Sequence, residues 1–299
     1  MYDVIIIGAG PAGLSAALLL GRCRRNVLLT DAGEPRNIHS SAVHGYLTRD
    51  GTTPAEFLEL ARADLVGYST ITLKNRTATT ARRIAGGFEV SFPDGTERCR
   101  RLLVTTGLVD NVPALEGIQD MYGRSVHHCP YCDGYPYRDQ PIAVYGKGAR
   151  VSGLAMTLRT WSTRLLVCTD GPAEMAAKDR ALLERHGFPI REDRVLRLEG
   201  SNERIERVVF AAGAPFECRA LFFSTGQRQR SGIPEALGCE VSEKGVVLTG
   251  PSETTGVPGL FVAGDASKAT QFVIVAAAEG AEAACAIDRS LEEEDRTPA

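Results

Sequence analysis

The chain has 299 residues, 43% of them hydrophobic, and its 34 basic and 37 acidic side chains leave a formal charge of −3. That length allows two ordinary domains or one large one, and the apolar content excludes global disorder. A near-balanced charge gives neither nucleic acid nor an anionic membrane a surface to hold.

No apolar run reaches the ~18 residues of a membrane span. Met1-Tyr2-Asp3 leads into a short apolar run broken at Gly8. Without a basic start and a cleavage site, no signal peptide is expected and the cytoplasm is the default compartment. The 8 cysteines are scattered except for Cys129 and Cys132. A lone Cys-x-x-Cys in that compartment reads as redox or metal chemistry rather than as a disulfide scaffold.

In chain order, Val4-Ile5-Ile6-Ile7 is a β-branched run suited to a strand buried on both faces. Gly8-Ala9-Gly10-Pro11-Ala12-Gly13 follows, then a helix over Leu14–Gly21 and a strand over Asn26–Thr30 ending at Asp31. This is a βαβ unit of about thirty residues, the context a dinucleotide fingerprint requires. Gly8 permits the sharp exit from the strand, Gly10 the approach of a pyrophosphate, and Gly13 close helix–strand packing. The helix N-terminus supplies donors to the phosphates, and Asp31 accepts from the ribose of an adenosine half.

A helix capped by Thr53 is expected over Pro54–Val66. Strands at Ala78–Ile84, Phe88–Phe92 and Arg98–Thr105 turn at Asp94-Gly95. Leu108–Pro113 has turn character and reads as a crossover. Beyond it, Ile142–Tyr145, the turn Gly146-Lys147-Gly148, a helix to about Trp161 and the strand Arg164–Cys168 repeat the βαβ plan. A helix over Ala173–His186 and strands near Val195–Glu199, Ile205–Phe210 and Ala220–Ser224 complete this part. Gly245–Leu248 reads as a strand leading back, Gly259–Asp265 as a buried strand stopped by Gly-Asp, and Thr270–Leu291 as a long helix. The acidic run Glu292–Asp295 reads as solvated or frayed. The expected fold is α/β with two Rossmann-like nucleotide-binding domains, the second inserted into the first. Residues 1–112 and 246–299 form the outer domain, and 113–245 the insert.

The second glycine turn is the weaker. Val151 stands at its third glycine position, and no arginine cluster follows its second strand to clamp a 2′-phosphate. Asp170 suits the plain ribose of NAD, or equally an ordinary Asp-Gly-Pro turn. NAD(P)H is therefore a doubtful cofactor. The stretch His127-His128-Cys129-Pro130-Tyr131-Cys132-Asp133-Gly134 favours a redox pair. Zinc would need a second ligand pair, and no metal site is expected. Asp133 is a natural proton donor or acceptor, or a turn residue. At least one of His127 and His128 reads as structural, Trp161 as core, and the other cysteines as buried packing residues.

Four stretches occur in one order: Gly8–Gly13, Thr105-Thr106-Gly107, Cys129–Gly134 and Val262-Ala263-Gly264-Asp265. This order resembles the low-molecular-weight thioredoxin reductase family of FAD proteins across nearly the whole chain. The resemblance implies FAD on the outer domain, a dithiol on the insert and a homodimer. It places Pro11, Ala12, Asn37, Thr106 and Gly107 with the glycines and Asp31 in the FAD site. Gly264 and Asp265 would hold the ribityl–phosphate portion, and Gln271 and Phe272 would begin the helix aimed at the flavin. Cys132 would be the flavin-proximal thiol, Cys129 the exchange thiol and Asp133 the acid/base.

The departures carry information. The family's NADPH signature is replaced by Ala149-Arg150-Val151-Ser152-Gly153 and Cys168-Thr169-Asp170, and Gln271 lacks its usual preceding Arg. Such losses resemble reductases fed by ferredoxin and FAD dithiol oxidases of small molecules. The segment Asn37–Pro54 is similar to the oxidases, and Asp133 to the reductases. The favoured expectation is a reductase of a thioredoxin-like protein that does not use NADPH. The alternatives are an oxygen-dependent oxidase of a small dithiol and a flavin-binding sensor without turnover. Retention of both cysteines and Asp133 argues against the sensor.

Overall fold

Val4 and Ile6 of the first strand enter one hydrophobic core, while Ile5 and Ile7 enter another on the opposite face. A strand buried on both faces needs such an unbroken apolar run. The computed structural model describes residues 1–296; residues 297–299 of the expected outer domain lie outside them. The chain runs through β1 (Tyr2–Ile7), α1 (Pro11–Arg22) and β2 (Val27–Asp31). Helix α1 starts ahead of the expected Leu14 because Pro11 fits the first helical position, where no intrahelical amide is needed. α2 (Pro54–Ala63) is capped by the Thr53 side chain, which accepts from the Glu56 amide at 3.2 Å.

There follow β3 (Ile71–Asn75), β4 (Thr80–Ile84), β5 (Gly87–Phe92), β6 (Gly95–Val104) and β7 (Leu108–Asp110). Next come α3 (Ile118–Met121), β8 (Val126–His127), α4 (Pro130–Asp133), β9 (Ile142–Tyr145), α5 (Gly148–Leu158) and β10 (Leu165–Cys168). Then come α6 (Ala177–Arg185), β11 (Ile190–Arg191), β12 (Val195–Ser201), β13 (Arg204–Phe210), β14 (Phe216–Glu217) and β15 (Ala220–Phe223). The chain closes with β16 (Gln227–Gln229), α7 (Ile233–Ala236), β17 (Leu260–Val262) and α8 (Val273–Arg296).

The chain divides into two compact units. Unit 1 comprises Met1–Ile38, Gly45–Val109 and Gln227–Ala299; unit 2 comprises His39–His44 and Asp110–Gly226. Unit 1 carries a sheet ordered β3-β2-β1-β6-β5-β4, with β17 parallel to β6. Helices α1 and α8 cover one face, where Leu14, Leu20, Ala283 and Ile287 join the core. Unit 2 repeats the plan with the parallel sheet β11-β10-β9-β15-β8 and a separate antiparallel sheet β12-β13-β14. Both units are Rossmann-like.

The return to unit 1 comes at Gln227, earlier than the expected 246. β16 pairs with β7, and the Gln229 side-chain amide donates to the carbonyls of Gly245 and Ala266, both at 2.8 Å. Ile233 and Val247 are then buried in the unit 1 core. Residues 245–248 form no strand; Val247 makes only an isolated bridge to Val241. The acidic tail is not frayed either. It continues α8, where Glu294 and Asp295 pair with Arg25, Arg100 and Arg101.

Candidate functional site

Unit 1 holds the first glycine turn. Gly8 has φ +110°, and a Cβ there would lie 2.5 Å from the Thr105 carbonyl oxygen. A Cβ on Gly13 would lie 1.9 Å from the Gly8 oxygen, so α1 packs on β1 closer than any side chain allows. Gly10 faces open space, with nothing within 4 Å of where its Cβ would be. No side chain caps α1 at Gly10, and Pro11 begins the helix. Its first amides thus lack a side-chain cap, and the positive end of the helix lies behind them.

Ala12 is the floor. A Cβ on Gly280 would meet the Ala12 oxygen at 2.0 Å, and one on Gly264 would meet the Ala12 methyl at 3.0 Å. Thr106 and Gly107 follow β6; the Thr106 hydroxyl is buried without a partner, and Gly107 has φ +66°. Gly264 and Asp265 follow β17, and Gln271 and Phe272 immediately precede α8. Asn37 lies half-buried in the turn after β2. Asp31 accepts from the Arg62 guanidinium at 2.7 Å and from the Gly33 amide at 3.2 Å. With Arg62, Asn75 and Arg76 it lines a cavity of about 480 Å³. The open glycine turn, the uncapped helix and the orphaned Thr106 hydroxyl together fit a bound dinucleotide.

Sequence reasoning missed Arg36. Its guanidinium donates to Asp265 at 2.9 Å, to the Gln271 side-chain oxygen at 2.6 Å and to the Gln227 side-chain oxygen at 3.1 Å. It ties together three segments distant in sequence, which no local pattern announces.

Glu279 on α8 was also missed. Its buried carboxylate accepts from the Gly264 amide at 2.7 Å. Burial, with Glu253 and Asp265 adding to it, pushes its pKa from 4.5 up to about 7. Glu253, itself buried, pairs with Lys268 at 3.0 Å. A carboxyl with a raised folded-state pKa holds an extra proton only when folded, so it lowers stability as pH rises from about 4.5 to about 7. Glu279→Gln keeps an acceptor for Gly264 without the charge. Its thermal midpoint should match the parent near pH 5 and exceed it near pH 8, by a stabilisation of about 3 kcal/mol at most. A pH-independent difference between the two melting curves would refute this.

Unit 2 holds the cysteine pair. Cys129 and Cys132 form a disulfide with Cα atoms 5.4 Å apart. Cys129 is the N-cap of α4, Pro130 occupies the first turn, and the Cys132 amide points at Cys129 Sγ at 3.2 Å. On reduction, that amide stabilises a thiolate on Cys129, the ordinary way to make a nucleophilic sulfur. Asp133 closes the same turn, and burial raises its pKa from 3.8 to about 6, with His44 acting the other way. The group therefore exchanges a proton near neutral pH. His127 Nδ1 lies 3.5 Å from Asp133 Oδ2, and His128 Nδ1 lies 3.7 Å from Asp110 Oδ2.

Of the other cysteines, Cys99, Cys168 and Cys218 are buried as expected, but Cys23 and Cys285 are exposed and Cys239 is half-buried. Cys23 caps the end of α1 and Cys285 lies on the outer side of α8, positions the apolar context did not reveal. Trp161, expected in the core, is half-buried against Tyr131, with ring centroids 5.7 Å apart. Among the described residues, no group of three or more His, Cys, Asp or Glu side chains could hold a metal ion.

The second glycine turn is filled by its own chain. The Gly148 amide, which corresponds to Gly10 in unit 1, donates to the Ala173 carbonyl at 2.8 Å. Lys147 pairs with Glu174 at 2.7 Å, and a Cβ on Gly148 would already touch the Glu174 oxygen at 3.2 Å. Asp170 is engaged as well: Oδ2 accepts from the Tyr145 hydroxyl at 3.0 Å and Oδ1 from the Val195 amide at 2.8 Å. Gly148, Lys147 and Asp170, the groups placed to meet a pyridine nucleotide's pyrophosphate and ribose, are thus each bonded to other residues of unit 2.

The family model "Pyridine nucleotide-disulphide oxidoreductase" matches residues 2–280. Among solved structures, the chain is similar to an oxidoreductase from Agrobacterium tumefaciens, with 35% identity, TM-score 0.89, and coverage of 98% of this chain and 99% of that one. It is likewise similar to a protein described as a thioredoxin reductase, TrxB, from Bacillus anthracis, with 30% identity, TM-score 0.91, and coverage of 99% and 100%. Thioredoxin reductase aclD of Aspergillus oryzae is 28% identical over 97% of this chain and 96% of its own length.

Proposed function

The chain belongs to the pyridine nucleotide-disulphide oxidoreductase family, and on that premise we propose that it is an FAD-dependent thiol–disulfide oxidoreductase working through Cys129 and Cys132. The observation that carries this reading is the Cys129–Cys132 disulfide at the head of α4 with Asp133 in the same turn. The open glycine turn of unit 1 supports the cofactor half. When bound, FAD supplies a two-electron partner for the dithiol.

This chain's residues do the rest. The amides at the α1 N-terminus and the Thr106 hydroxyl bind the phosphate portion. Asp31 orients the adenosine ribose with Arg62 behind it, and Gly264 and Asp265 hold the ribityl side. Cys129 exchanges with an outside disulfide, Cys132 communicates with the flavin, and Asp133 holds or delivers the proton. The preferred substrate is the disulfide of a thioredoxin-like protein, with a homodimer in the cytoplasm as the working form.

The closed cradle around Gly148 supports a donor other than NADPH, such as ferredoxin. Mixed anaerobically with NADPH or NADH, the oxidised protein should keep its visible flavin absorbance. Rapid bleaching at micromolar nucleotide would overturn this part of the reading.

The same closed cradle favours a second reading, in which electrons enter as an outside dithiol and leave to oxygen. A small dithiol supplied in air separates the two: stoichiometric peroxide with substrate disulfide marks an oxidase, and its absence marks a reductase.

A further inference from the structure

A chain of hydrogen bonds fixes where one proton sits beside the disulfide. The Tyr137 hydroxyl donates to the Arg124 carbonyl at 2.8 Å, so its proton is committed. His127 Nε2 lies 3.1 Å from the same hydroxyl oxygen. That contact is a hydrogen bond only if Nε2 carries the imidazole proton and donates. The Arg124 carbonyl is a second acceptor for the ring.

Nδ1 is then a bare lone pair, 3.5 Å from Asp133 Oδ2. The ring does not take a second proton, because burial and the neighbouring His128 drive its pKa down to about 3. Phe222 closes over it, with ring centroids 5.3 Å apart. At that distance a lone pair repels a carboxylate on Oδ2 and leaves the neutral carboxylic acid unopposed. The other titratable and charged groups around this pair are His44 from His39–His44, His128, Tyr137 and, facing Tyr137, Arg204 on β13.

We propose that His127 is a positioning residue whose unprotonated Nδ1 keeps the proton on Asp133 Oδ2, making Asp133 the acid of the exchange. The inference rests on the dithiol reading above. The Cys129 thiolate bonds to one sulfur of the outside disulfide, whose S–S bond breaks with its electron pair on the other sulfur. The Asp133 proton passes to that leaving sulfur. The resulting carboxylate takes the Cys132 thiol proton, and the Cys132 thiolate attacks Cys129 Sγ. The enzyme disulfide closes and the second outside sulfur leaves as a thiolate. Two electrons move from the cysteine pair to the outside disulfide, and Asp133 ends protonated, as it began.

The test uses protein reduced chemically and then separated from reductant, with bis(2-hydroxyethyl) disulfide, whose leaving thiol needs a proton. Exchange by the parent should fall off above the pH at which Asp133 ionises. His127→Phe should move that falling limb down by about one pH unit and slow exchange at pH 7 about tenfold. His127→Asn, which keeps an acceptor near the Nδ1 position, should restore most of both. An aromatic disulfide with an acidic leaving thiol should be indifferent to all three proteins. Nitrogen-15 NMR of the parent should place the His127 proton on Nε2.

A proton on Nδ1, or a limb unmoved in His127→Phe while Asp133→Asn slows exchange, overturns the role of His127 alone. An Asp133→Asn protein that exchanges at the parent rate overturns the acid/base reading, and this inference falls with it.

Discussion

Cys132→Ser should purify yellow and exchange nothing. The substitution removes one sulfur of the disulfide in unit 2 and leaves the sequence of unit 1, with its glycines, Thr106 and Asp265, unchanged. Flavin content should stay at the parent level, while turnover with a dithiol or disulfide substrate falls by about a thousandfold or more, as expected when a covalent nucleophile is lost. Cys129→Ser should behave alike in turnover. The measurements are the visible spectrum and a steady-state exchange assay on the same preparation. Unchanged turnover would mean that the cysteine pair is a bystander and would favour a passive flavin binder.

The second large effect concerns the glycine turn. Gly13→Ala must place a methyl where only 1.9 Å separates it from the Gly8 oxygen and 2.8 Å from Thr105 Oγ1. Neither neighbour can yield cheaply. The Gly8 carbonyl is backbone, and Thr105 Oγ1 already donates to it at 2.7 Å. Helix α1 must lift away from β1, at a cost of about 3 kcal/mol, with most flavin affinity lost as the turn deforms. Gly10→Ala is the contrasting case, since nothing occupies the space its methyl would enter. It should leave the apoprotein's thermal midpoint nearly unchanged and weaken flavin binding through the methyl's intrusion on the phosphates. Fluorescence titration with FAD and melting of the apoprotein separate the two. Tight flavin binding by Gly13→Ala would refute the packing argument.

What could be read from residue order was whatever has a local cause. The β1–α1–β2 unit announces itself through a β-branched run, glycines at fixed spacing and a terminal acid. The cysteine pair and Asp133 are adjacent in sequence. Thr53 betrays its helix because capping depends on the next few residues only. Features with a tertiary cause escaped. β3 carries only Ile71 and Leu73 as apolar residues and exists because β2 offers it a parallel edge. Gly245–Leu248 has strand composition but meets no continuous partner. Arg36 gains meaning from Asp265, Gln227 and Gln271 together. The closure of the second glycine turn depends on Ala173 and Glu174 folding back on Gly148 and Lys147. Val151 at the third glycine position was legible, but the bonds that Gly148, Lys147 and Asp170 make within unit 2 were not.

Arg100 binds Asp3 at 3.1 Å through one nitrogen and Glu294 at 2.9 Å through another. Its third nitrogen reaches Asp295. One guanidinium therefore fastens the first strand to the last helical turn. A short polar linker between these ends would allow a rearranged gene in which the nucleotide half that now straddles the insert is translated in one piece, from Gln227 round to Val109. Such a circular permutant would carry residues 110–226 at its end, where removing them lets cofactor binding be weighed without the cysteine pair.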